Sequence, residues 1–190
     1  MSSEGLHARN LAEAFFYLLV TPCRICGQGP IRAEVARGAE KTGDRWKTII
    51  PSLCKECGEQ RDFTFLLDER PTSFSPADLP EINNSREPSH LIDVGQWIVL
   101  FRMITEAAAG ERDKQQARQL GIEAAMCLDE ALKFYRDEES DFPVAEAFFV
   151  ESSRDRFRKY PEQFSRRRLL ELRAKLPSIA RLRSRESQDD

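Results

Sequence analysis

Residues Thr21–Val35, TPCRICGQGPIRAEV, and Pro51–Phe65, PSLCKECGEQRDFTF, follow one plan: Cys-x-x-Cys-Gly, then a strand-like run. The 190-residue chain has five cysteines, and four of them (Cys23, Cys26, Cys54 and Cys57) lie in these two pairs, with 27 residues between the pairs. Two residues between cysteines let a tight turn aim both sulfurs at one point. Gly27 and Gly58 let the backbone enter the left-handed region and turn N–H groups toward the sulfurs. Four thiolates complete a tetrahedral shell around a metal ion and leave no position for water or substrate, which makes the site structural and not catalytic. Binding of about 10 to 16 kcal/mol, as in small zinc peptides, can fold a region with a modest apolar core. Arg24, Lys55 and Arg61 lie close in sequence and are expected to offset the negative charge of four thiolates around zinc.

The four cysteines, two glycines and flanking runs resemble a zinc ribbon over roughly Thr21 to Leu67. That resemblance implies two knuckles carried by a small antiparallel sheet, with structural Zn2+ as cofactor, and says little about function. The pairs are also similar to the iron site of rubredoxins. "KTGDRW" supplies Gly43, Asp44 and Trp46 for that likeness, but no tyrosine lies between the knuckles. Zinc is therefore the expected ion and iron the alternative. A thioredoxin-like motif needs its pair at a helix start after a strand, whereas Cys54 and Cys57 precede a strand-like run.

Working outward, "PIRAEVA" alternates through Ile31, Ala33 and Val35, "RWKTII" through Trp46, Thr48 and Ile50, and "DFTFLL" through Phe63, Phe65 and Leu67. Trp46, Phe63 and Phe65 are expected to build the sheet core or part of a contact face. The tract "RGAEKTGD" between the first two runs reads as a hairpin or longer loop. "HARNLAEAFFYLLV" suits a short helix with Leu11, Phe15 and Leu18 on one side. Residues 68–92 contain Pro71, Pro76, Pro80 and Pro88, which break helices and central strands, so this stretch is a connector. Its Phe74, Leu79 and Ile82 suggest partial docking on a domain.

Beyond it, Asp93 is placed to cap a helix over 94–109 with Val94, Trp97, Ile98, Phe101 and Ala108 on one face, closed by Gly110. A second helix over 112–135 stacks Leu120, Ala124, Leu128, Ala131 and Tyr135, making a helical hairpin. Then come a short piece over 144–149, a turn near Ser152 and Ser153, and a helix over 161–176 with Leu169, Leu172 and Leu176 buried. Pro177 stops that helix. The fold class is α+β: a zinc ribbon with a short N-terminal helix over 1–67, a connector over 68–92, an all-α domain over 93–180, and a disordered charged tail over 181–190. "AEAFF" recurs at Ala12–Phe16 and Ala145–Phe149 with unlike flanks, so no solenoid is expected.

The chain is 41% hydrophobic and 32% charged, with a formal charge of −3. No apolar run approaches the ~18 residues that span a bilayer. No secretory leader is evident, so a cytoplasmic location without membrane association is the expectation. From Glu151 onward twelve basic residues face seven acidic ones, which leaves −8 on the rest. The segment "SRDRFRKYPEQFSRRRLLELRAK" interleaves arginine with Phe157, Tyr160 and Phe164, a pairing that can hold phosphates and stack on bases. Glu162 and Glu171 offer salt-bridge partners that would make the same arginines an ordinary solvated face. Arg45, Lys47, Arg61, Arg166, Arg167 and Arg168 are the candidate nucleic-acid contacts. Cys127 reads as a buried thiol, His7 and His90 as surface residues, and "DEESD" at Asp137–Asp141 as a solvated loop. No nucleophile–base set and no phosphate loop is present in the sequence. The expectation is a non-enzymatic zinc-binding adaptor with a protein partner; a nucleic-acid regulator is the second reading, and a rubredoxin-like iron electron carrier the third.

Overall fold

The computed structural model describes residues 5–71 and 86–177. The chain divides into two compact units after Ile92. It is a mixed α+β protein, with five strands in the first unit and helices dominating the second.

In the first unit β4 (Arg45–Cys54) is the central strand. Its partner β5 (Gln60–Leu67) runs antiparallel along its length, from Trp46↔Leu67 to Leu53↔Gln60. The other edge is shared by β2 (Ile31–Ala33) near the cysteine end and β3 (Arg37–Thr42) near the far end. The break between β2 and β3 follows from Pro51. Its carbonyl accepts from Glu34 N–H at 2.8 Å. Because N and C=O of an antiparallel residue face the same neighbour, the missing N–H falls at the irregular stretch, where no ladder bond is lost. Of the hairpin or longer loop expected over "RGAEKTGD", the hairpin is what forms, with most of the tract itself a strand, β3; only Gly43 and Asp44 turn, between the paired Thr42 and Arg45. Gly43 has φ 65°, the positive value a two-residue hairpin loop asks of its first glycine. Val35, expected on the buried face of a strand, lies outside β2 and is exposed.

One more strand was not foreseen. β1 (Leu6–Ala8) pairs parallel with β5, so the sheet is mixed and not purely antiparallel, and His7 sits in a strand and not in a loose terminus. α1 (Leu11–Val20) follows it, with Asn10 accepting from Glu13 N–H as N-cap. Leu11, Phe15 and Leu18 join Ile31, Ile50, Phe63, Phe65 and Leu67 in one core, with Trp46 packed at its margin. Buried Glu13, the charge inside an apolar run, accepts from Arg9 backbone N–H at 2.7 Å and pairs with the Arg9 guanidinium at 2.7 Å.

In the second unit α2 (Val94–Gly110) and α3 (Lys114–Leu132) form the hairpin that the periodicity indicates, around Trp97, Ile98, Leu100, Leu128 and Ala124. Gly110 is the last helical residue and not a left-handed cap; the positive-φ glycines lie elsewhere. The turn expected near Ser152 is a helix, α4 (Glu151–Lys159). The helix expected over 161–176 is split by Ser165 into a 3₁₀ turn, Pro161–Phe164, and α5 (Arg166–Ala174). Leu169 is buried, but Leu172 and Leu176 are only half-buried. Asp141, from the acidic run, accepts from Ser165 Oγ at 2.9 Å, and its carbonyl accepts from Arg166 N–H at 2.8 Å, so it anchors the start of α5. Phe148, Phe157 and Phe164 meet with ring centroids 5.0 to 5.6 Å apart.

Asp93 organises this unit. One carboxylate oxygen accepts from Gln96 N–H and Ser153 Oγ, both at 2.8 Å, and the other from Phe149 and Val150 N–H at 2.9 and 3.1 Å. Gln96 returns a bond to Asp93 N–H at 3.0 Å, completing a capping box. A fully buried carboxylate thus caps α2 and meets the start of α4 with a full set of donors. α4 approaches so closely that a Cβ on Gly95 would lie 2.5 Å from Ser153 Oγ.

Among the described residues no helix is long and apolar enough to cross a membrane. Phe74, Leu79, Ile82, Pro76, Pro80 and the tail from Arg181 lie outside the described residues. Asp93→Ala is expected to destabilise the protein by about 3 to 5 kcal/mol, because four donors lose their acceptor inside the fold. Asp93→Asn, which retains one carbonyl oxygen, should cost less. Urea unfolding of the metal-loaded full chain, followed by far-UV circular dichroism, measures both.

Candidate metal centre

The two knuckles are built alike. Cys23 N–H donates to Gln28 C=O at 2.6 Å and Gly27 N–H to Cys23 C=O at 2.8 Å; Cys54 N–H donates to Glu59 C=O at 2.9 Å and Gly58 N–H to Cys54 C=O at 3.0 Å. Gly27 and Gly58 take φ 68° and 73°, a conformation in which a side chain would be strained. Ile25 N–H points at the Cys23 sulfur, 3.4 Å away. β4 delivers Cys54 at its last residue, opposite Ile31 of β2, and Lys55 N–H donates to Pro30 C=O at 3.3 Å, so the sheet brings both knuckles to one end.

All four sulfurs lie within 4.8 Å of one another. Cys23–Cys57 and Cys26–Cys54 are each 3.7 Å apart, Sγ to Sγ. Ligands about 2.3 Å from a tetrahedral ion sit about 3.8 Å from each other, whereas a disulfide needs about 2.05 Å. The spacing and the donor set therefore fit a metal ion held by Cys23, Cys26, Cys54 and Cys57. Cys23 and Cys54 are buried, Cys26 is half-buried and Cys57 is exposed.

The sulfurs are not equivalent. Backbone amides of Cys26 and Ile25 lower the Cys23 thiol to about 7, with burial opposing them. At Cys57 the Glu59 amide pulls downward, but burial and the other three sulfurs win and raise it to about 12. Four thiols this close cannot all ionise beside one another; a cation in their midst removes that conflict and releases the protons.

The surrounding charges differ in part from expectation. Arg24 pairs with Glu59 at 3.4 Å, so its charge is already met by a carboxylate. Arg61 lies over the Phe63 ring, 4.6 Å from guanidinium carbon to centroid. Lys55 is exposed. Of the ribbon residues singled out for nucleic acid, Arg45 and Lys47 alternate out of phase with Thr48 and Ile50, while Arg61 pairs opposite Ser52 and shares the Phe63 face. The three do not share one face. Arg45 also sits 3.5 Å from Asp68, whose carboxylate bonds His7 at 2.7 Å. Arg166 donates to Glu138 C=O, whereas Arg167 and Arg168 make no side-chain hydrogen bond or ion pair among the described residues.

Cys127 is fully buried, and burial followed by nearby Glu123, Glu130 and Asp129 pushes its thiol well up, the setting of an inert structural cysteine. His90 is exposed; the turn before α2 is capped instead by Ser89, which accepts from Leu91 and Ile92 N–H.

Comparison with protein-family models, with curated proteins and with solved structures gives no significant match. The reading of this centre rests on its own geometry.

Removing the metal with a strong chelator is expected to collapse the order around both knuckles, because the thiol cluster then lacks its cation. Cys54→Ser should abolish binding of one metal equivalent per chain, while Cys127→Ser should leave the stoichiometry intact. Metal analysis after gel filtration distinguishes them. Apparent affinity should strengthen as pH rises, since loading displaces the protons.

Proposed function

We propose that this chain is a non-enzymatic adaptor in which a structural zinc ion stiffens the ribbon and presents it to a protein partner. The observation that carries the reading is the closed four-sulfur shell: it uses every tetrahedral position on protein ligands and so suits a scaffold and not a reaction centre. Zinc is preferred to iron because, although Trp46 is present, no tyrosine of the rubredoxin-like aromatic set lies between the knuckles.

The knuckle also projects an apolar side chain outward. Ile25, between Cys23 and Cys26, is 63% exposed, and Val35 is 57% exposed. A metal-locked turn holds such a group at low conformational cost, which favours partner recognition. Nucleic-acid contact through Arg167 and Arg168 is the second reading, favoured by the lack of acidic partners for their guanidinium groups. Dispersal of Arg45 and Lys47 from Arg61 counts against a continuous basic track.

The test pairs metal content with binding. Purified protein should be colourless and carry about one zinc; a red oxidised preparation would assign iron instead. Ile25→Asp should preserve zinc content and the circular dichroism spectrum yet lose the specific partner set recovered by affinity capture and reconstituted with purified components. Retention of that set by Ile25→Asp would remove the knuckle tip from the interface.

A further inference from the structure

The four sulfurs of the centre differ in access. Cys57 is exposed and Cys26 half-buried, whereas Cys23 and Cys54 are buried. Two contacts across the centre each join one of either kind: Cys57 Sγ to Cys23 Sγ and Cys26 Sγ to Cys54 Sγ, both at 3.7 Å. Both contacts run from one knuckle to the other and together use every ligand once. Each sulfur that solvent can reach therefore has a covered sulfur of the opposite knuckle as its neighbour. The fifth cysteine, Cys127, lies fully buried in the second unit and offers no competing thiol.

Coordination to a metal keeps all four sulfurs as thiolates, and a thiolate is the form that attacks a peroxide. An accessible cysteine beside a resolving one is the layout that carries such an attack on to a disulfide. Here the Cys57 thiolate attacks one oxygen of hydrogen peroxide; the S–O bond forms, the O–O bond breaks and hydroxide leaves. The Cys23 thiolate then attacks the Cys57 sulfenic acid; the S–S bond forms and a second hydroxide leaves. The two sulfurs give up two electrons and the peroxide takes them. The new bond ties the knuckles together, as does the Lys55 N–H to Pro30 C=O bond at 3.3 Å, which needs no metal. Cys26 and Cys54 thus stay adjacent, and a second peroxide repeats the sequence between them. A Zn2+ ion keeps its oxidation state throughout and passes to water once its ligands are spent.

We propose that the centre is a peroxide-sensitive switch: Cys57 and Cys26 take the oxidant, Cys23 and Cys54 resolve them, and two cross-knuckle disulfides replace the metal. The inference deepens the adaptor reading and rests on it for its consequence. Ile25 lies between Cys23 and Cys26 and is exposed, so oxidation removes the metal-locked turn that presents it. Loss of the metal is also loss of the folding free energy that its binding supplies.

Full-length, zinc-loaded protein treated with hydrogen peroxide tests this, with released zinc read by a colorimetric chelator and bond pairing by mass spectrometry of a non-reduced tryptic digest. Cleavage after Arg24 and Lys55 parts the two cysteines of each knuckle, so Cys23, Cys26, Cys54 and Cys57 fall on residues 10–24, 25–32, 48–55 and 56–61. The expected result is release of about one zinc per chain with Cys23–Cys57 and Cys26–Cys54 pairing, reversed by dithiothreitol and added zinc. With peroxide below one equivalent and dimedone present, the sulfenic-acid adduct should form on Cys57 ahead of Cys23 and Cys54. Disulfides within the knuckles, Cys23–Cys26 and Cys54–Cys57, overturn the proposal, as does an adduct led by a buried cysteine. Zinc retained at a peroxide dose that converts the exposed Met103 to its sulfoxide overturns it too, and so does release that dithiothreitol and zinc fail to reverse. Protein that binds no zinc before oxidation overturns the zinc centre and the switch together. The Ile25→Asp experiment reads partner recognition alone, so failure of the switch leaves the adaptor reading standing.

Discussion

Four sulfurs confined within 4.8 Å impose the constraint around which the first unit is arranged. Thiols at that spacing are too far apart for a disulfide and too close to ionise together, so the cluster suits a cation. Much of the surrounding backbone follows from bringing them there. β4 must run unbroken to Cys54, which requires Pro51 to face an edge where no N–H is needed. β2 must end against that residue, and both glycines must adopt positive φ so that each turn closes. The apolar core beneath is small, resting on α1 and alternate residues of β4 and β5, and a metal held by the four sulfurs would contribute what such a core lacks.

The second unit meets an analogous problem with a carboxylate. Asp93 is buried with no ion pair among the described residues, and it is tolerated because two helix starts and one hydroxyl point their donors at it. Its placement also explains why α4 exists. The segment ESSRDRFRK has one large apolar residue, Phe157, and would be a poor helix alone. Anchored at its start by Asp93 and packed through Phe157 onto Phe148 and Phe164, it becomes a helix.

Several features were legible in the sequence because they depend on local spacing. The cysteine pairs with their glycines, the alternation of Thr48 and Ile50 with Phe63 and Phe65, and the α2–α3 stripes all repeat at fixed intervals, and backbone geometry converts such intervals into a shared point or face. Asp93 was legible as a cap for the same reason. Its further bonds to residues 56 to 60 positions away were not.

What the sequence by itself determined is the pair of knuckles, their four cysteines, and the α+β order of a small sheet followed by helices. Tertiary structure decided the parallel addition of β1, the choice of a hairpin over a longer loop at "RGAEKTGD", the helix at Glu151–Lys159 and the break at Ser165. It also decided which arginines find a carboxylate partner. Except for the β3–β4 hairpin, each of these backbone features is settled by a hydrogen bond between segments far apart in the chain, and local periodicity holds no record of such partners.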